Sequence, residues 1–460
     1  MQELSTGREL RMPQTDGADI ATSPHLAPTQ WLVCGIAALG FAFDLYEIVI
    51  LPLLLRPALA ALGNLKPGSP EFNLWAGLFF YVPAAAGGIF GLLGGYLTDR
   101  FGRRRVLVWS ILLYGFSACT ASYSNTLPQL LILRCTTLIG VCVEYVAAIA
   151  WLAELFSNRR QRDSVLGYTQ AAAGLGGLLG TGAYYLAVTY AERLPVIHGG
   201  HEAWRYTLLF GLLPAIPLMI VRPFLPESPA WRQRKITRTL KRPSIAALFQ
   251  SSLRKTTLVT ALSVACIFAI AYGVFQQMPR IVPGLPELHK LGPRQMEQTV
   301  SSVQLVQELG TVSGRLLFAV LVGRIASRQR LLRIFLMPGL LVFSFVYFFA
   351  ATHSLLLVKC GMFLAALLMN ASVSFWWNYL PRVYPTHLRG TGESFAANVG
   401  GRVVGTSAAL VTTQLVNVMP GLNASARLAY AAASVAVLLY SIALAASFWV
   451  REPATGQLPD

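Results

Sequence analysis

The sequence predicts an all-α membrane protein, twelve transmembrane helices in two pseudo-symmetric six-helix bundles, and three observations predict it. Of 460 residues, 55% are apolar and only 12% charged, against roughly 25% charged in soluble domains. The apolar residues gather into runs of about 20 or more, each long enough to cross a hydrocarbon core about 30 Å thick. The chain also repeats. Adding 228 carries Gly95, Asp99 and Arg100 onto Gly323, Ser327 and Arg328, and Phe156, Ser157 and Asn158 onto Tyr384, Pro385 and Thr386. Two loops agreeing on one offset indicate a duplicated six-helix unit.

The runs place spans at 31–55, 74–98, 106–124, 128–154, 164–190, 204–222, 256–277, 300–323, 331–352, 355–380, 394–416 and 429–449. Residues 1–30 mix Ser, Thr, Pro, Gly and charges of both signs; they lack the apolar centre of a cleavable signal and read as a cytoplasmic tail. The first bundle then covers 31–222, a central cytoplasmic loop 223–255, the second bundle 256–450 and a second tail 451–460.

The net charge of +17, from 37 basic and 20 acidic residues, would suit a nucleic-acid binder. Its arrangement argues against one, because the basic residues cluster in short connections between apolar runs, as orientation signals and contacts for anionic headgroups. They crowd alternate connections: Arg100 with Arg103, Arg104 and Arg105; Arg159, Arg160 and Arg162; the stretch from Arg222 to Lys255; Arg324, Arg328, Arg330 and Arg333; Arg382 and Arg389. The other connections hold few, among them Arg56, Lys66, Arg193, Arg280, Lys290 and Arg294. By the positive-inside bias both termini face the cytoplasm of a multi-pass cell (inner) membrane protein.

The cysteines at 34, 119, 135, 142, 266 and 360 show no paired spacing and read as small buried hydrophobes. His198 and His201 lie close in a loop without a third ligand, so no metal site is expected. The phosphate-binding pattern G-x-x-x-x-G-K-S/T is absent, so energy is expected from gradients rather than ATP; no cofactor and no catalytic residues are expected.

Small residues four apart mark faces where helices approach closely: Gly87, Gly91 and Gly95; Gly176 and Gly180; Gly310 and Gly314; Gly401 and Gly405. Between the second and third runs stands the charged elbow GGYLTDRFGRRR, Gly94 to Arg105. It resembles G-x-L-x-D-R-x-G-R-R/K, the loop between helices 2 and 3 of the major facilitator superfamily of transporters. Three further stretches resemble its sugar-porter and metabolite:proton symporter branch: LPESPAW from Leu225, EYVAAIAWLAELFSNRR from Glu144, and YPTHLRGTG from Tyr384. The resemblance implies the major facilitator fold, seams formed by helices 2, 5, 8 and 11, and a small-molecule solute carried between the halves of a monomer.

In the connections, Gly95, Asp99, Arg100, Gly102, Arg103, Glu154, Arg159 and Arg389 read as parts of a cytoplasmic gate. Asp99 suits a helix N-terminus, and Glu154 offers a partner to Arg103 or Arg159. Such pairs either close the inner side or only fix topology.

Inside the spans stand Asp44, Glu47, Arg134, Glu144, Glu308, Arg315 and Arg402. Each costs about 2.5–3.5 kcal/mol at the bilayer centre if ionised, so they must pair or line a wet cavity. Asp44 and Glu47 share a face one turn apart, and Arg134 is their expected counter-ion, with Glu144 as a further acid. A carboxylate that is either paired with arginine or protonated has the two states that proton coupling requires. The alternative is a static bridge holding span 1 against span 4. Sugar porters and aromatic-acid symporters carry an acid in helix 1 and an arginine in helix 4, but the aromatic-acid family has D-x-x-D where this chain begins with Phe41.

Gln276 and Gln277 resemble the glutamine pair with which sugar porters hold hydroxyls, and adjacent residues diverge by about 100° on a helix, so one of them faces the cavity. With Gln170, Glu308, Arg315, Asn370, Trp377, Asn378, Asn398 and Arg402 they form the expected substrate-cavity lining; helix packing is the alternative for the neutral ones. The predicted function is secondary active transport of a sugar or organic acid by alternating access, with a proton as symport partner. Export of amphipathic compounds, and a sensor that has lost transport as Ser327 and Arg382 would allow, are the competing readings.

Overall fold

Twelve membrane helices make up the protein in a computed structural model that describes residues 28–156, 165, 168–169, 172–237, 245–385 and 388–452. They are α1 (Pro28–Gly63), α2 (Pro70–Phe101), α3 (Arg103–Ala121), α4 (Leu127–Leu155), α5 (Gly174–Tyr190), α6 (Ala203–Phe224), α7 (Arg254–Gly284), α8 (Pro293–Val322), α9 (Arg328–His353), α10 (Leu355–Tyr379), α11 (389–415) and α12 (Ala424–Ser447). Nine of these are long and apolar enough to cross a membrane by composition alone. The others explain themselves: α3 opens on three arginines, the described part of α5 has 17 residues, and α11 is broken by a π-helical stretch, Phe395–Val404.

Local chemistry starts the helices where the sequence turns polar. Ser69 accepts from the Phe72 amide at the head of α2, Thr126 from Gln129 at α4, Ser327 from Arg330 at α9 and Asn423 from Ala426 at α12; each satisfies one amide that the first turn leaves open. Pro70, Pro128 and Pro293 stand in first turns, where no amide hydrogen is required. Large apolar side chains such as Trp109, Phe116, Ile132, Leu316, Leu341 and Leu356 are exposed along the flanks, as lipid-facing surfaces require.

The contacts repeat with a step of six helices. In the first half α2 and α3 pack on α4 and α1 on α5; in the second α8 and α9 pack on α10 and α7 on α11. The halves meet along two seams, α2 against α11 and α5 against α8. Several helices outrun the predicted spans: α1 continues to Gly63, α7 to Gly284, and α8 starts at Pro293 rather than 300. These extensions carry Arg56, Arg280 and Glu297 into packed surroundings.

Glycine sets how near α1 and α5 come. A Cβ on Gly176 would lie 1.8 Å from the Ala42 carbonyl oxygen, whereas one on Gly95 would meet nothing within 4 Å. Gly176→Ala is therefore expected to destabilise the purified protein by at least the 1–3 kcal/mol or so typical of overpacking, and Gly95→Ala not at all; thermal denaturation in detergent compares them.

Candidate functional site

α1, α4 and α6 bring two acid–base pairs into the middle of the first half. Arg134 on α4 donates from Nη1 to Glu47 Oε2 at 2.7 Å and from Nη2 to the Glu47 carbonyl at 2.6 Å. Arg222 at the end of α6 bridges to Glu144 and lies 3.5 Å from the Leu107 carbonyl. All four side chains are buried. Glycine makes the room: a Cβ on Gly40 would stand 2.3 Å from Arg222 Nη2, and one on Gly211 would stand 2.9 Å from Glu47 Oε1. Beside Arg134 is a cavity of about 10 Å³ lined by Leu51, Leu54, Phe79, Leu130 and Trp204, room for about one water and none for a solute.

Asp44 stands apart from both pairs. It is buried, neither carboxylate oxygen has a hydrogen-bond partner, and the charges around it are Glu144, Arg222, Arg402 and Glu47. Arg402 belongs to the other half, in the π stretch of α11, and donates from Nη1 to Asn398 Oδ1 at 2.7 Å. The wider π turn sets these two residues against α2, where Gly88 faces Arg402 and Gly91 faces Asn398. π insertions of this kind gather at functional sites.

Aromatic rings line the same region. Tyr145 on α4 is half-buried, packs edge-on against Phe41 at 5.4 Å and lies among the charges of Arg402, Arg315 and Asp44. From α7, Phe268 stacks on Tyr272 at 6.2 Å and covers Gly401. Along the α5–α8 seam, Glu308 accepts from Gln304 Nε2 at 2.9 Å and lies over Gly177, while Arg315 reaches Gly174.

Arg134, expected as counter-ion to Asp44 and Glu47 together, pairs with Glu47 and not with Asp44, because it reaches the Glu47 carboxylate and carbonyl together. Arg222, assigned to a solvated loop by its place after an apolar run, is the buried partner of Glu144. Asn370 spends both amide hydrogens, on Thr311 Oγ1 and the Ala366 carbonyl, and so ties α10 to α8. Gln277 is buried between the Tyr272 carbonyl and Arg280, which leaves half-buried Gln276, with its Oε1 unpartnered, as the one with spare capacity. Trp377 and Asn378 are half-buried on α10. Arg159 and Gln170 lie outside the described residues, as does the Asp99 side chain. Arg222, Tyr145, Phe268, Tyr272 and Arg280 were missed, and only their position in or beside apolar runs could have flagged them.

The two elbows are built alike. Glu227 accepts from the amides of Arg103 at 3.0 Å and Arg104 at 3.2 Å, capping α3; Glu452 accepts from those of Arg328 at 2.9 Å and Gln329 at 3.0 Å, capping α9. Arg104 Nη1 donates to the Leu225 carbonyl and Gln329 Nε2 to that of Val450. Trp151 holds the Pro226 carbonyl and Tyr379 that of Arg451. The offset between capped amides and capping acids is 225 rather than 228. Gly102, at φ 98°, makes the first elbow, and a side chain there would strike Glu227.

Arg103 bridges to Glu154 at 2.9 Å, and Glu154 also accepts from Ser228. Arg100 is exposed and donates to Tyr96 of its own helix at 2.9 Å. These contacts join α2, α3, α4 and the chain after α6, all in one half, so the Arg103–Glu154 pair is a brace rather than a lock between halves. Arg389 is half-buried at the start of α11. Ser327, where the first copy has Asp99, still works: it caps α9 and donates to Glu452 at 2.8 Å. Ser327 thus gives no support to a lost function.

The profile of the Major Facilitator Superfamily matches residues 31–410. The chain is 27% identical over 343 residues to the cis,cis-muconate transport protein of Acinetobacter baylyi, covering 72% of this chain and 76% of that one. It is 29% identical over 367 residues to the 4-hydroxybenzoate transporter of Pseudomonas putida, covering 74% and 79%. In fold it is similar to the crystal structure of a D-xylose-proton symporter, with a TM-score of 0.71 at 17% identity over 90% of this chain and 97% of that one.

Breaking a buried pair by removing one partner costs about 3–5 kcal/mol. Glu144→Gln should therefore lower thermal stability by several degrees, while Asp44→Asn, which removes no partner, should leave it unchanged or raised; denaturation of purified variants compares them. At the second elbow, burial pushes the Glu452 carboxyl up, but the amides of Gln329 and Arg328 and the Ser327 hydroxyl outweigh it and hold it below its ordinary 4.5. A lowered value means that the cap stabilises at neutral pH and fades as pH falls below about 4.5 and through the folded-state value. Glu452→Gln should accordingly cost more stability at pH 7 than at pH 4.

Proposed function

The chain belongs to the Major Facilitator Superfamily, and from that premise we propose that it is a proton symporter of small organic acids, aromatic or unsaturated carboxylates among them. It is a multi-pass membrane transporter and not an enzyme. Alternating access moves a small solute between the two halves. The single observation that carries the proton and anion reading is the leftover charge between the halves: Asp44 without a hydrogen-bond partner on one side, and Arg402, with no carboxylate partner among the described residues, on the other.

A solute carboxylate supplies the acceptor that Arg402 lacks, and guanidinium–carboxylate recognition is among the strongest polar contacts available. Asp44 then takes or gives the proton, so that solute and proton load together and their binding biases one conformation over the other. Glu47 and Glu144, already held by Arg134 and Arg222, keep the first half in register. Tyr145, Phe268 and Tyr272 give a flat apolar lining suited to a conjugated or aromatic body, with Gln276, Glu308, Arg315 and Asn398 as polar neighbours. The carriers of cis,cis-muconate and 4-hydroxybenzoate to which the chain is similar support this choice over a sugar; Phe41, which packs against Tyr145, departs from the aromatic-acid motif at its first acid and counts against an aromatic member of the class. In the cell the basic elbows face the cytoplasm, with both termini on that side of the cell membrane, and the bundles span 31–222 and 256–450 around a central loop at 223–255.

In proteoliposomes, an inward proton gradient should accelerate uptake of labelled cis,cis-muconate or 4-hydroxybenzoate. Asp44→Asn should abolish that acceleration while solute counterflow continues, and Arg402→Gln should abolish both. A wild-type rate indifferent to the gradient would refute the symport.

A further inference from the structure

At the membrane face opposite the basic elbows, polar side chains stitch the halves together. Arg56 bridges to Glu297, which also accepts from Tyr184 at 2.8 Å; Arg294 and Gln298 donate to Thr189; Asn73 donates to Asn417 at 3.2 Å. Arg280, near the end of α7, belongs to this seam but is held differently. It is 7% exposed, and its guanidinium rests on two neutral amides, Nη1 on Gln277 Oε1 at 2.8 Å and Nη2 on Asn73 Oδ1 at 3.0 Å. Its Nε is buried with no acceptor. Phe72 covers the plane at 5.3 Å from the ring centre, and no carboxylate pairs with it among the described residues.

A buried guanidinium without a counter-ion is costly, and neutral amides offset less of that cost than a carboxylate does. Arg56, on the same seam, shows that an acid can be provided there. Two of the three groups around Arg280, Asn73 and Phe72, come from the first half, so any opening of this face strips them away and leaves the guanidinium with Gln277 alone.

We propose that Arg280 receives the solute at the far mouth of the path: as α2 and α7 part, the guanidinium gives up Asn73 and takes the carboxylate of an arriving organic acid. The departing halves uncover the positive charge only while the mouth is open, so capture is confined to that state. When the halves close again Asn73 reclaims Nη2 and the anion is passed inward to Arg402. This rests on the organic-acid reading and adds a second, side-specific site to it.

The test uses radiolabelled 4-hydroxybenzoate, with neutral 4-hydroxybenzamide as competitor, on right-side-out and inverted membrane vesicles holding the full chain. Arg280→Gln should raise KM from the far face by about tenfold or more, as loss of a charge-assisted contact implies, leave KM from the basic face within about twofold, and erase the preference of far-face binding for acid over amide. Asn73→Ala, which removes the competing acceptor, should lower KM from the far face by about threefold; it decides the matter if the arginine variant does not fold. An unchanged far-face KM in either variant, or equal changes at both faces, overturns the role of Arg280 alone. A wild-type protein that carries no carboxylate from either face overturns this inference together with the organic-acid reading.

Discussion

Charge in a low-dielectric interior must be matched, and nearly everything distinctive here follows from how completely each half does so. The first half matches its inner charges with bridges that cross between helices, Glu47 to Arg134 and Glu144 to Arg222. A pair of this kind adds little net stability over apolar packing. It does make the alternatives expensive, because any relative slip of α1, α4 or α6 strands a charge. The first bundle is thereby held to one internal arrangement, with the small residues Gly40 and Gly211 making space for it.

Between the halves the matching is left incomplete. Asp44, Arg402 and Arg280 all lie where the two bundles face one another, and each lacks the partner that the bundles give to their own charges. In the proposed cycle a solute carboxylate and a proton complete the set. Transport of this kind needs interactions that the protein cannot satisfy alone, placed on surfaces that separate.

Much of the architecture was legible in the chain. Runs of apolar residues gave twelve helices, and the GGYLTDRFGRRR elbow with its partner motifs gave the family, because those signals are local in sequence. Of the charge pairs, Glu154 with Arg103 was legible at the surface elbow, whereas the pairing inside the first bundle was not. Arg134 lies within reach of two acids one turn apart, and only the crossing geometry of α1 and α4 chooses Glu47. Arg222 follows an apolar run in a basic stretch, where a solvated residue is the ordinary expectation, and nothing nearby reveals that α6 turns it inward onto Glu144. Arg280 was hidden the same way, since the prediction stopped α7 at 277 and the helix continues past it. Asn370 looked like cavity lining because an asparagine in a span announces polarity but not direction.

The mirrored caps have a mechanical corollary. Glu227 and Glu452 are the chain's own stitches, each drawing the end of a bundle back onto that bundle's third helix. Since Pro226 and Arg451 are also gripped by Trp151 and Tyr379, each end is held at two points to helices of its own bundle. A tug on the linker just after Glu227 therefore reaches α3 and α4 of the first bundle together.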